Sequence, residues 1–219
     1  MKWLIPLALS LFLLTTGLLS AKVFTEDNLE MGDPSKKYLF YLHGAIVEGE
    51  ELNPTHPVFG YYDMVNIRSV LADQDNLLLI SDHRPKDTSI TDYANKLAND
   101  VKSLIKDGVP AQNITISGFS KGGMIAIRAS SVLQNDQLNF IFMAACNRWA
   151  FDNEEIRVAG RILSIYETTD TIGHSCQPLI DKSPAALEYK EVAINTGKKH
   201  GAFYRTIPEW VKPFKAWLD

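Results

Sequence analysis

The chain has 219 residues, 46% of them apolar and 22% charged, which suits one domain with a sizeable core and excludes a compositionally disordered chain. A formal charge of -4 leaves no basic face on which to build nucleic-acid binding. The histidines are scattered and neither His-x-x-x-His nor a paired-cysteine ligand spacing occurs, so no metal or other cofactor is expected.

Lys2 precedes the apolar run Trp3–Leu19, and the small residues Ser20 and Ala21 follow. Pro6, Ser10, Thr15, Thr16 and Gly17 dilute that run, so residues 1–21 read as a cleaved secretory signal peptide rather than a retained span. The expectation is export to a bacterial periplasm or beyond, no membrane anchor after cleavage, and a single domain over residues 22–219. An oxidising destination favours pairing of Cys146 with Cys176. A buried thiol at Cys146 and a surface one at Cys176 is the alternative.

Tyr38–Leu42 is an apolar run ending in His43-Gly44, and Asn76–Ile80 is another ending in Ser81-Asp82-His83-Arg84-Pro85. Both read as buried parallel strands. Between them Asp63–Leu71 is apolar at helical spacing. Ser89–Lys106 is a longer amphipathic helix, closed by Gly108 and Pro110. Later strands are expected at Ile114–Ile116, Asn139–Ala144, Arg161–Tyr166 and Lys190–Ile194, with a last helix over Pro208–Leu218 bent or restarted at Pro213. Alternating strands and helices imply an α/β fold, a mostly parallel central sheet with helices on both faces. Its strand ends would share one edge.

Gly118-Phe119-Ser120-Lys121-Gly122 follows a β-branched strand and opens the apolar helix Met124–Leu133. That context makes it a nucleophile elbow, a strained strand-to-helix turn that presents the Ser120 hydroxyl above the sheet. The Lys121 amide, at the positive end of the helix, is one expected donor to an oxyanion. A serine needs a base and a carboxylate to orient it. His200, in the glycine-bounded loop Gly197–Gly201 after the last strand, is the preferred base. Asp170, in the loop after Arg161–Tyr166, is the preferred acid, with Glu167 and Asp181 as rivals.

Ser120, Asp170 and His200 stand in the order nucleophile, acid, histidine. With that order the chain resembles a compact α/β-hydrolase from about Tyr38 to the C-terminus. His43-Gly44 matches the oxyanion loop, Gly118–Gly122 the elbow, and Asp170 and His200 the remaining triad positions. The stretches Tyr166–Cys176 and Thr196–Tyr204 also resemble small bacterial members of the superfamily. The loop departs from His-Gly-Gly-Gly as His43-Gly44-Ala45-Ile46, which makes the Ala45 amide the first choice for the second donor. Only sixteen residues separate the strands at 139–144 and 161–166, so no cap domain is expected there and the cleft should be open. His43, Arg84, Phe119, Asn147 and His174 fall at strand ends or in edge loops and are candidates to line it.

The resemblance implies a serine hydrolase, esterase-like, acting on a small-molecule acyl substrate through an acyl-enzyme. Two alternatives stay open, an acyltransferase using the same triad and a secreted binding module that has kept the fold without catalysis.

Overall fold

The computed structural model describes residues 23–24 and 32–219. The expected signal peptide therefore lies outside the described residues. Seven strands form one sheet, β1 (Val23–Phe24), β2 (Lys37–Leu42), β5 (Leu77–Ile80), β6 (Ile114–Phe119), β7 (Asn139–Met143), β8 (Ala159–Glu167) and β9 (Ala185–Ile194), in the order β1-β5-β2-β6-β7-β8-β9. Every pairing in it is parallel. The strands beneath the elbow are in continuous register, with Leu42 opposite Gly118 and Phe119 opposite Met143.

Strand side chains alternate between two cores, as a repeat of two requires. Tyr38, Phe40, Leu42, Phe140 and Phe142 pack with Leu97, Val101 and Leu104 of α2 (Ile90–Lys106) and with Ile125 and Ile127 of α3 (Lys121–Leu133). Leu39, Tyr41, Ile141 and Met143 face the other way, onto Ile67 and Leu71 of α1 (Met64–Ala72) and Trp210 and Phe214 of α6 (Pro208–Leu218). Both faces are thus covered, which is why these strands read as unbroken apolar runs.

Helix starts follow their caps. Asp63 accepts from the Asn66 amide and Ser89 from the Asp92 amide, so each expected first residue is the cap and the helix begins one residue later. Gly108, at a φ of +98°, ends α2 in the left-handed turn that glycine adopts without strain. Pro213 does not restart the last helix, which runs as one element with Pro208 at its first turn.

Three features escape the sequence pattern. Thr55–His56 and Gly60–Tyr61 form a hairpin, β3 and β4, too short to show a period. Arg148–Phe151 is a single-turn helix, α4, and Gln177–Asp181 is another, α5. The span between β7 and β8 holds only α4, and no cap domain is inserted there.

Candidate active site

Ser120 sits between β6 and α3 at φ 52°, ψ −120°, a conformation that costs a non-glycine residue about 1–3 kcal/mol and survives only where its surroundings enforce it. Three glycines provide the enforcement. A Cβ on Gly118 would lie 2.3 Å from the carbonyl of Gly122, one on Gly122 only 2.0 Å from the Leu42 oxygen, and one on Gly123 2.3 Å from the Ala145 Cβ. The turn closes only because none of the three carries a side chain. The Ser120 amide donates to Met143 O at 2.9 Å and its carbonyl accepts from Met124 N at 2.9 Å, so both sides of the strained residue are anchored.

His200 lies buried in a 3-10 turn, Lys199–Phe203, that follows β9. Its Nδ1 is 2.6 Å from Asp170 Oδ2 and its Nε2 is 2.8 Å from Ser120 Oγ. A carboxylate only accepts, so Nδ1 carries the proton and Nε2 is left to accept from the serine hydroxyl. Asp170 also accepts from the amides of Ile172 at 3.0 Å and Gly173 at 3.3 Å. Burial by itself would raise its carboxyl. The hydrogen bond and charge of His200, with those two amides, outweigh burial and hold it below the usual carboxylate range. The structure therefore brings the three separated candidates into one chain of hydrogen bonds.

Of the rival acids, Asp181 is on α5 and pairs with Gln177 at 2.7 Å. Glu167 is buried at the end of β8 and makes four bonds. It accepts from the amide and hydroxyl of Thr196 at 2.8 and 2.7 Å, and from those of Thr169 at 3.2 and 3.0 Å. Burial is again opposed and exceeded by hydrogen bonds, and its carboxyl is lowered. Glu167 thus ties the loop that carries Asp170 to the start of the loop that carries His200.

Phe119 and Phe59 pack on the His200 ring, at centroid distances of 4.7 and 5.8 Å. Phe59 is at the tip of the β3–β4 hairpin. His56 holds that tip by stacking on Phe59 at 4.6 Å and accepting, through Nδ1, from the Val58 and Phe59 amides at 3.1 and 3.2 Å.

On the other flank, Gly44 passes so close to the elbow that a Cβ there would meet the Phe119 ring at 3.0 Å and the Ser120 Cβ at 3.6 Å. The next residue, Ala45, opens a short 3-10 turn and is exposed. The Lys121 amide begins α3, where helix amides have no partner within the helix. Gly44 thus lies beside the serine, with Ala45 the next residue in the chain, and Lys121 directly follows the serine.

Of the candidates to line the cleft, His43, Arg84 and Phe119 are buried. The His43 Nδ1 donates to Gly44 O at 2.9 Å and its Nε2 accepts from the Arg84 amide at 3.1 Å. Burial, reinforced by the Arg84 charge, lowers its pKa to about 2, so the ring is neutral. The Arg84 guanidinium donates to His43 O at 2.5 Å and pairs with Glu48 at 3.4 Å. The second oxygen of Glu48 binds Lys121 Nζ at 2.6 Å. One carboxylate thus clamps the His43–Gly44 loop, through Arg84, to the residue after the serine. Glu48 and Phe59 carry no motif, and each acts through a partner far away in the chain, so no sequence signal could have found them. Glu167 reads in the sequence only as a rival acid, and its tie to Thr196, 29 residues on, leaves no local sign.

Asn147 caps α4 by accepting from the Trp149 amide at 3.0 Å. His174 is exposed and bridges by its backbone to Cys146 O at 2.8 Å. Cys146 and Cys176 form a disulfide, which joins the end of β7 to the segment beyond Asp170. Gly173, in that segment, packs against the end of β7, where a Cβ would lie 2.2 Å from Ala144 O. Among the described residues no cluster of three or more His, Cys, Asp or Glu could hold a metal, and no helix is long and apolar enough to cross a membrane.

The model of the phospholipase/carboxylesterase family matches residues 76–173, from the start of β5 through the elbow to just past Asp170. A thermostable esterase of known structure superposes with a TM-score of 0.58 at 14% identity, over 89% of this chain and 57% of its own. The chain shares that esterase's fold. Esterase PE8 gives 0.58 at 15% identity, over 86% of this chain and 94% of its own. SOBER1 of Arabidopsis thaliana gives 0.53 at 12%, over 84% and 98%. No curated protein matches the sequence. At these identities the α/β-hydrolase likeness concerns the fold, and the family match ends before His200.

Proposed function

We propose that this chain is an α/β-hydrolase, a serine esterase that cleaves a small ester or related acyl bond through an acyl-enzyme, with Ser120, His200 and Asp170 as its triad. The observation that carries the reading is the pair of contacts made by one imidazole, 2.8 Å to Ser120 Oγ and 2.6 Å to Asp170 Oδ2. His200 Nε2 takes the hydroxyl proton as Ser120 Oγ bonds to the acyl carbon, and Asp170 holds the tautomer and stabilises the imidazolium. The amides of Lys121 and Ala45 face the developing oxyanion, each good donor lowering the barrier by about 3–4 kcal/mol in a preorganised site. The imidazolium then hands its proton to the leaving oxygen, and water repeats the cycle on the acyl-enzyme.

The family match and the esterases of similar fold support this assignment. The open approach to Ser120, with no cap between β7 and β8, favours water as acceptor over an alcohol. The Cys146–Cys176 bond supports an oxidising compartment, and with the apolar N-terminus it favours a periplasmic or secreted enzyme. The test is a panel of p-nitrophenyl esters of graded chain length, run on wild type and Ser120→Ala. Hydrolysis should be lost in the variant, together with labelling by a fluorophosphonate, and a variant with undiminished turnover would overturn the proposal.

A further inference from the structure

A groove of about 500 Å³ opens between the β3–β4 hairpin and the loop that carries His200. Val58, Phe59 and Ile207 form an apolar wall, and Lys198, Lys199 and Arg205 supply the charge. No carboxylate is among the described residues that line it, and none of the three cations is in an ion pair among the described residues. This is a local excess of positive charge on a chain whose formal charge is −4. Val58 is 71% exposed, so the wall is apolar surface left open to solvent beside unneutralised charge.

The position of the groove decides which part of a substrate would meet it. Lys199 and Gly201 flank His200 in the chain, and Phe59 packs on the imidazole. The hairpin comes so close that a Cβ on Gly201 would lie 2.8 Å from Phe59 O. When the tetrahedral intermediate collapses, the bond between the acyl carbon and the leaving oxygen breaks and the proton on His200 Nε2 passes to that oxygen. The leaving oxygen must then be within hydrogen-bond reach of Nε2. The rest of the leaving group extends away on the histidine side, where the groove lies.

We infer that the groove receives the leaving group, and that this group is an alcohol with an apolar body and a terminal carboxylate or phosphate. The inference rests on the serine-esterase reading and narrows its substrate class. The apolar body lies along Val58, Phe59 and Ile207, and the anion meets Lys198, Lys199 and Arg205. Exposed cations attract an anion weakly one by one but jointly raise its local concentration, an effect that salt removes.

The acetate esters of 4-hydroxyphenylacetate and 4-hydroxyphenylacetamide share an acyl group and differ in the charge at the far end of the leaving group. At low salt kcat/KM should favour the anionic ester at least about fivefold, the preference falling towards one near 1 M salt, where the screening length is about 3 Å. Lys198→Gln with Arg205→Gln, both exposed positions, should abolish it. As a readout independent of turnover, 4-hydroxyphenylacetate should protect Ser120 from fluorophosphonate labelling better than its amide does. Labelling with equal rates and equal protection for the charged and neutral compounds would overturn the inference while leaving the esterase reading intact. So would a preference that survives the double substitution, or one seen only when the charge is placed on the acyl side, as in phenyl hemisuccinate against phenyl butyrate. Absence of any Ser120 labelling would instead refute the esterase reading itself.

Discussion

At Ser120 the backbone is strained and the space around it is already full. Gly122→Ala would drive a Cβ into the Leu42 oxygen at 2.0 Å, where only backbone could move. Activity should fall by at least about a hundredfold, because a misplacement of 1 Å costs about that much in a reacting geometry; esterase rate and thermal midpoint, measured on the same preparation, check this. The elbow was legible in the sequence because all its determinants are contiguous: a β-branched strand, glycines two before and two after the serine, and a helix beyond. The choice among Asp170, Glu167 and Asp181 was less so. Three carboxyls follow one strand within a short stretch, and only the paired loop at Thr196 and His200 tells them apart. Glu167→Gln puts an amide donor among four donors. It should destabilise the protein by about 1–3 kcal/mol, the cost of leaving buried groups unsatisfied, and lower kcat by loosening both triad loops. The pH dependence has a definite sign. Glu167 and Asp170 have folded pKa values below their unfolded ones, so their stabilisation is complete above the ordinary carboxylate range and is lost as pH falls through the depressed values. Urea midpoints followed into acid should decline in that window, less steeply in Glu167→Gln.

Among the elements, the loop after β2 and the start of α3 are held in place by a single buried carboxylate. Glu48 meets Lys121 at 2.6 Å and Arg84 at 3.4 Å, and Arg84 in turn holds the His43 carbonyl. Glu48→Ala leaves the buried Arg84 guanidinium without its counter-charge, a change that costs about 3–5 kcal/mol. The urea midpoint should fall accordingly, and kcat should fall more than KM rises, because both proposed oxyanion donors are carried by the segments that Glu48 joins. A variant with wild-type stability and kcat would show that the clamp is dispensable. The same network explains why the sequence placed Arg84 and His43 in the cleft. Strand ends in parallel sheets do point at the site edge, but an arginine followed by proline gives no sign of whether it turns outward to solvent or inward to a carboxylate 36 residues away. The β3–β4 hairpin was invisible for a related reason. Its strands are two residues each, and the Pro54–Pro57 stretch reads as loop until Phe59 is seen against His200.

Across the whole molecule the disulfide fastens the acid loop to the β7 edge. Its ends are 30 residues apart, so in the chain-entropy model Cys146→Ser with Cys176→Ser should cost about 3–4 kcal/mol, read as a lower urea midpoint that reduced wild type shares. If the chain is exported as proposed, N-terminal sequencing of the mature protein should find it beginning near Ala21 or Lys22. By itself the sequence determined the order of strands and helices, both faces of the sheet and the elbow, because periodicity, caps and turn glycines act over a few residues and leave a local imprint. Tertiary structure alone decided which acid orients the histidine, where the buried charges turn and what stands beside the imidazole. Those outcomes depend on side chains brought together from distant parts of the chain, and burial changes the energy of a charge in a way that its neighbours in sequence do not encode.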